Sequence, residues 1–170
     1  MTELYVRPAA AKDFDRIMEI YAAAREAMRK NGNPNQWGTD HPPRGMIKED
    51  IRIGRSYAVC SRQNGREQIS GVFVLIIGED PSYKVIEDGE WLNDEPYGTI
   101  HRIAGDGSAK GVLEAALIFA AGRIRNIRID THHDNTIMQH LLDKYGFTRC
   151  GIIYVADGTP RIAYQKRCSI

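Results

Sequence analysis

The 170-residue sequence predicts an α/β fold: a mixed, mostly antiparallel central sheet with helices on both faces. Three observations point there. Apolar residues recur at helical spacing in four segments and at strand spacing in seven, in the order β-α-α-β-β-β-α-β-α-β-β. Asn64-Gly65 and Asp157-Gly158 each join two β-rich runs, which places antiparallel hairpins in both halves of the chain. Between them, the strand-helix-strand unit from Tyr97 to Asp130 requires a parallel pair and a right-handed crossover. The length fits one domain over residues 1–170, large enough to bury a core without staples.

The elements follow in order. Leu4 to Arg7 reads as a strand stopped by Pro8. In Asp13 to Lys30, Phe14, Ile17, Met18, Tyr21, Ala24 and Met28 form one apolar stripe, and Gly32 and Pro34 end the helix. A short helix after Pro42-Pro43 sets Ile47 one turn from Ile51 and stops at Gly54. Tyr57 to Ser61 and Ile69 to Ile77 are strands, the second apolar on both faces and therefore central. Glu79 to Glu95 holds seven acids against Lys84 alone and reads as a long loop. Tyr97 to Ala104 is a strand, Val112 to Ala121 a helix apolar almost all round and expected to be buried, and Asn126 to Asp130 a strand. Thr136 to Tyr145 is amphipathic, with Thr131 or Asp134 expected to cap it. Phe147 to Val155 and Pro160 to Gln165 close the sheet.

Composition excludes several classes. A net charge of +1 lacks the basic surplus of a nucleic-acid or anionic-membrane binder. Cys60, Cys150 and Cys168 are odd in number and widely spaced, which points to a reducing, cytoplasmic location and away from a disulfide framework. No apolar run reaches the roughly 18 residues of a membrane span, and Met1 to Arg7 has no leader-like apolar core.

The segment Gly105-Asp106-Gly107-Ser108-Ala109-Lys110-Gly111 lies between a strand and the helix that starts at Val112. A glycine-rich turn opening a helix presents free N–H groups and the positive end of the helix dipole, a phosphate site to which Lys110 adds a charge. A plain tight turn explains the same residues. A dinucleotide-binding fold does not: Lys110 stands where its third glycine is needed, and only 40 residues follow Asp130.

The C-terminal half carries a more specific pattern. Ile127 and Ile129 lead into Thr131-His132-His133-Asp134-Asn135, after which Met138, Leu142 and Tyr145-Gly146-Phe147 fall at fixed spacing. This resembles the helix-and-strand motif of the GNAT superfamily, the acetyl-CoA-dependent N-acetyltransferases, and the element order matches that family along essentially the whole chain. The Gly-rich turn sits where the family holds its pyrophosphate loop. Three positions depart from the family pattern: Ser108 replaces the loop's usual basic residue, Leu113 stands at its final small position, and Leu142 stands where many members carry a tyrosine general acid.

The resemblance implies transfer of an acetyl group from acetyl-CoA to a primary amine by direct attack, with a small-molecule or peptide acceptor and no metal. It also implies roles. His101 is the expected base, and Thr99, on the same strand face, relays a water, with Arg102 pointing the other way. Ile103, Gly105, Gly107, Ser108, Ala109, Lys110, Gly111 and Val112 are expected to hold the cofactor, together with Asn135. Trp37 and His132 are expected to face the acceptor, and Tyr145 is a substitute acid. Each has a plainer reading: a strand histidine bonded to backbone, a loop tryptophan packed on the body, a tyrosine on the apolar helix face. His132 and His133 lack the ligand spacing of a zinc site. A non-catalytic acyl-CoA-binding domain on the same fold, or a structural module without a CoA site, remains an alternative, and a homodimer stays open. The acidic segment, at −6, either draws a cationic acceptor or is a solvated loop.

Overall fold

A computed structural model describes residues 3–169. Met1 and Thr2, part of the stretch read for a leader, lie outside the described residues, as does Ile170. The elements are β1 (Tyr5–Pro8), α1 (Phe14–Lys30), α2 (Arg44–Arg52), β2 (Ser56–Gln63), β3 (Arg66–Ile77), β4 (Gly98–Gly105), α3 (Val112–Ala121), β5 (Asn126–Thr131), α4 (Thr136–Lys144), β6 (Thr148–Tyr154) and β7 (Pro160–Arg167). They form one seven-stranded sheet in the order β1-β2-β3-β4-β5-β7-β6. Only β4 and β5 run parallel; every other pair is antiparallel. Among the described residues no helix is long and apolar enough to cross a membrane.

The helices divide between the two faces as their stripes require. Ile17, Ile20, Tyr21 and Ala24 of α1, with Ile47 of α2, pack on Val72 and Ala104. On the other face Leu113, Ala116, Leu117 and Ala120 of α3, with Leu142 of α4, pack on Phe73, Leu75, Ile100 and Ile127. Complete burial of α3 was the expectation. Instead Ile118 is 69% exposed, because the sheet covers one side of this helix and, among the described residues, nothing covers Ile118 on the other.

Two irregularities shape the centre of the sheet. Val72 pairs with Ala104 and Val74 with His101, so Phe73 alone faces two residues, Arg102 and Ile103. This bulge puts Arg102 at φ 48°, a conformation unusual for a side chain of its size. It is held from outside the strand. The buried Asp50 of α2 binds the Arg102 guanidinium through two 2.9 Å bonds, and the Tyr21 hydroxyl donates to the Arg102 carbonyl at 2.8 Å. Strict alternation, which would turn Arg102 away from His101, fails here for that reason. The second irregularity is the β4–β5 junction, in register only at Gly98–Ile127 and Thr99–Arg128. Beyond those pairs the strands diverge.

The acidic segment is not a free loop. Tyr83 and Tyr97 are buried against Ile153 and Ala163, and Glu87 exchanges both backbone hydrogen bonds with Ile152 at 2.9 and 2.8 Å. The Arg128 guanidinium lies 4.0 Å from the ring centres of both Trp91 and Tyr97. The segment is a strap fastened across β5, β6 and β7.

Candidate active site

The divergence of β4 from β5 opens a cavity of about 600 Å³. Its walls come from the α1–α2 loop, the start of the strap, β4, β5 and the β6–β7 hairpin. A narrower slot of about 180 Å³ runs beside it between α1, the end of β4 and the start of α4. The two share Met28, Ile103, Asn135 and Met138 as a common wall.

His101 lines the large cavity, and its Nε2 lies 2.9 Å from Asp80 Oδ2. Asp80 also accepts the Ser82 N–H at 2.8 Å, while its own N–H donates to the Tyr97 hydroxyl at 2.7 Å. Burial pushes the Asp80 carboxyl up, but the bonds from His101 and the Ser82 N–H outweigh it and hold it below its ordinary value. Asp80 is therefore an acceptor only, which assigns the proton of the pair to His101 Nε2 and the lone pair to Nδ1. Behind them the buried Tyr83 donates to Asp130 Oδ2 at 2.6 Å. Burial raises the Asp130 carboxyl and, together with Asp130, raises the Tyr83 phenol well above its usual range.

Trp37 is packed on the body and open to the cavity at once. Its ring packs edge-on against Tyr21 at 5.7 Å between centroids, and it lines the cavity. Next to it, Gln36 Oε1 accepts from Asn33 Nδ2 at 2.9 Å and from Asn135 Nδ2 at 3.0 Å, tying the loop to the start of α4. Asn135, rather than Thr131 or Asp134, caps α4: its Oδ1 accepts the Met138 N–H at 3.0 Å.

Four expectations meet different surroundings. His132 is turned from the cavity, buried with its Nδ1 accepting the Asp134 N–H at 3.0 Å and its ring stacked on His133. His132, His133 and Asp134 bring ligand atoms within 4.8 Å of one another, but that backbone bond already commits His132 Nδ1. Tyr145 packs against the core below α4 and lines neither cavity. Thr99 is also buried outside both, its hydroxyl without a partner. Of the seven acids in the strap only Asp80 reaches the cavity.

The Gly-rich turn separates into two parts. Asp106 is fixed: it pairs with Arg16 and accepts the Ser108 N–H at 2.9 Å, and the Ser108 hydroxyl lies 3.1 Å from that of Ser70. Gly107 and Gly111 take φ of 85° and 88°, and Ala109-Lys110 between them carries the exposed Lys110. Gly111 precedes α3 without a side-chain cap, and the first N–H of the helix to find a carbonyl is that of Ala115, on Gly111 at 2.9 Å. The donors of the first turn, beginning at Val112, stay open. Ile103 and Gly105 lead from this turn into the cavity walls, Ile103 lining both spaces and Gly105 the slot.

Sequence reasoning missed Asp80 as an individual, Asp130 and Arg161, all cavity-lining. Asp80 was hidden in a run of similar charges, and no local pattern marks the others.

No family model matches the sequence, and no curated protein does. Among solved structures, an acetyltransferase of the GNAT family from Streptococcus agalactiae superposes with a TM-score of 0.86 at 30% identity, covering 98% of this chain and 96% of that one. A putative acetyltransferase from Staphylococcus aureus gives a TM-score of 0.65 at 24% identity over 95% and 97% of the two chains. The NatC complex bound to Gag peptide and CoA contains a chain matching at 0.55 and 16% identity over 98% and 99%. End-to-end likeness to the streptococcal enzyme, on the split sheet described above, makes this chain a member of the GNAT family of acetyltransferases.

Proposed function

We propose that the protein is an acetyl-CoA-dependent N-acetyltransferase that acetylates a primary amine by direct attack. The observation that carries this reading is the meeting of the slot and the large cavity at Ile103, Asn135 and Met138, with the His101–Asp80 pair on the cavity wall. The residues fit a polyanionic cofactor at the far end of the slot. Open N–H groups head α3, Gly107 and Gly111 keep side chains away, and Lys110 supplies charge. Backbone groups of Ile103 and Gly105, which line the slot where β5 has left register with β4, would hold the pantetheine arm.

Acetyl-CoA supplies an activated acetyl thioester. His101 Nδ1 takes the proton of the incoming ammonium, while Asp80 holds the ring in the required tautomer and stabilises the imidazolium. Trp37 and Gln36 wall the acceptor space and limit how the amine approaches. Leu142 is fully buried where the family places a tyrosine, and Tyr145 lies outside both cavities, so no side chain there protonates the departing sulfur. A thiol of pKa about 8.5 leaves as an anion near neutral pH without such help.

The test is thiol release from acetyl-CoA across a panel of amines. Wild-type protein should turn over at least one amine. His101→Ala should lose roughly 100-fold in kcat, the lower end for a general base, and keep its affinity for acetyl-CoA. CoA binding with no turnover on any amine would select the non-catalytic acyl-CoA-binding reading instead, which the committed Ser108 side chain and the buried Leu142 favour.

A further inference from the structure

Two arginines line the large cavity, and they differ in one respect. Arg102 is neutralised by Asp50 through two bonds. Arg161, at the start of β7, is 8% exposed, and among the described residues no carboxylate comes within salt-bridge distance of it. Its Nη1 donates to Thr159 Oγ1 at 3.0 Å and to the Pro160 carbonyl at 2.8 Å, and Nη2 has one long bond to the Gln36 carbonyl at 3.5 Å. Nε makes none. Nη1 therefore anchors the group, and the Nε/Nη2 edge, the edge that grips a carboxylate with two parallel bonds, is left for something else.

The three carboxylates on the same walls do not fill that role. Asp80 is engaged by His101, Asp130 by Tyr83 and Asp157 by the N–H and hydroxyl of Thr159. A buried guanidinium without a counter-ion is costly, and the cost is recovered when a ligand brings the anion. The same cavity holds a base for an amine on its β4 wall.

We infer that the acceptor is an amine that also carries a carboxylate, a substrate of the amino-acid class, and that Arg161 is the residue that selects it. The inference rests on the N-acetyltransferase reading of the site. Arg161 grips the carboxylate through Nε and Nη2, while the amino group of the same molecule lies toward His101.

Matched acceptors test this: an amino acid, its carboxamide, and the amine with the carboxyl group removed. In wild-type protein the acid should exceed both others in kcat/KM by about 10- to 100-fold, the range for losing hydrogen bonds to a charged group. Arg161→Gln should erase that gap through KM for the amine, leaving KM for acetyl-CoA unchanged, and Arg161→Lys should restore part of it. Equal use of acid and carboxamide by the wild-type protein overturns the inference, and that comparison needs no variant to fold. Binding is read separately, from fluorescence of the cavity-lining Trp37 as each acceptor is added with CoA present. If no amine turns over but the acid alone binds, and does so through Arg161, the carboxylate site stands and acetyl transfer falls. Turnover without preference for the acid does the reverse.

Discussion

The glycine-rich turn and the acidic strap lie on either side of β4, and both stood out in composition, yet they are built on opposite principles. The turn gains its capacity from what it leaves undone: open N–H groups at the head of α3 and glycines at φ of 85° and 88°. The strap spends nearly everything on fastening. Tyr83 and Tyr97 are buried, Arg128 is sandwiched between Trp91 and Tyr97, and Glu87 is paired with Ile152. Its acids, apart from Asp80, ride on the outer side of that framework. A run of charge thus says little about function when aromatic residues embedded in it decide where the backbone goes. A run of glycine says more, because it leaves backbone donors open at a helix start, where an anion is favoured.

That contrast can be broken at three points, taken from the largest effect down. Arg128→Ala removes both ring contacts and the bond from Nη2 to the Asn93 carbonyl, and should destabilise the fold by about 2–3 kcal/mol, read as a lower urea midpoint. An unchanged midpoint would mean that the strap is not held by this arginine. Gly111→Ala introduces no clash, since the nearest atoms to the added carbon are 3.9 Å away, but forces alanine into the left-handed region at a cost of about 1–2 kcal/mol. The expected result is a rise of about fivefold or more in KM for acetyl-CoA with KM for the amine unmoved; no rise would detach the turn from cofactor binding. Smallest of all, Asp88→Asn, Glu90→Gln and Asp94→Asn together should leave both KM values within about twofold, since none of the three lines the cavity. A raised KM confined to cationic amines would restore a steering role to the strap.

Much of this architecture is written in local pattern. The stripe of α1, the Asn64-Gly65 and Asp157-Gly158 turns, and the strand-helix-strand unit around α3 are short-range signals, and each produces its element in the expected place. The candidate site was legible only where it too is local: His101 on its strand, the Gly-rich turn, Asn135 at a helix start. What escaped depends on distant partners. The bulge at Arg102 exists because Asp50 and Tyr21 reach it from two different helices. His132 was expected in the cleft, but a bond from the Asp134 N–H and stacking on His133 turn it inward. Arg161 is conspicuous only by the lack of a partner, a property no spacing rule can express.

The brief parallel junction between β4 and β5 also divides the labour of the site. Four strands lie on one side of it and three on the other, joined in register at only two positions. His101 belongs to the four-strand block, whereas Asp130 and Arg161 belong to the three-strand block. The proposed base and the proposed anion-gripping group are therefore carried by different strand blocks, each internally bonded. The angle at the seam enters the span between them, together with α3, which packs across both blocks, and the strap, which bonds His101 through Asp80 and Asp130 through Tyr83. The junction works like the pivot of a caliper: if an acceptor bridges both jaws as proposed, two residue pairs at the vertex, Gly98–Ile127 and Thr99–Arg128, help to gauge its length.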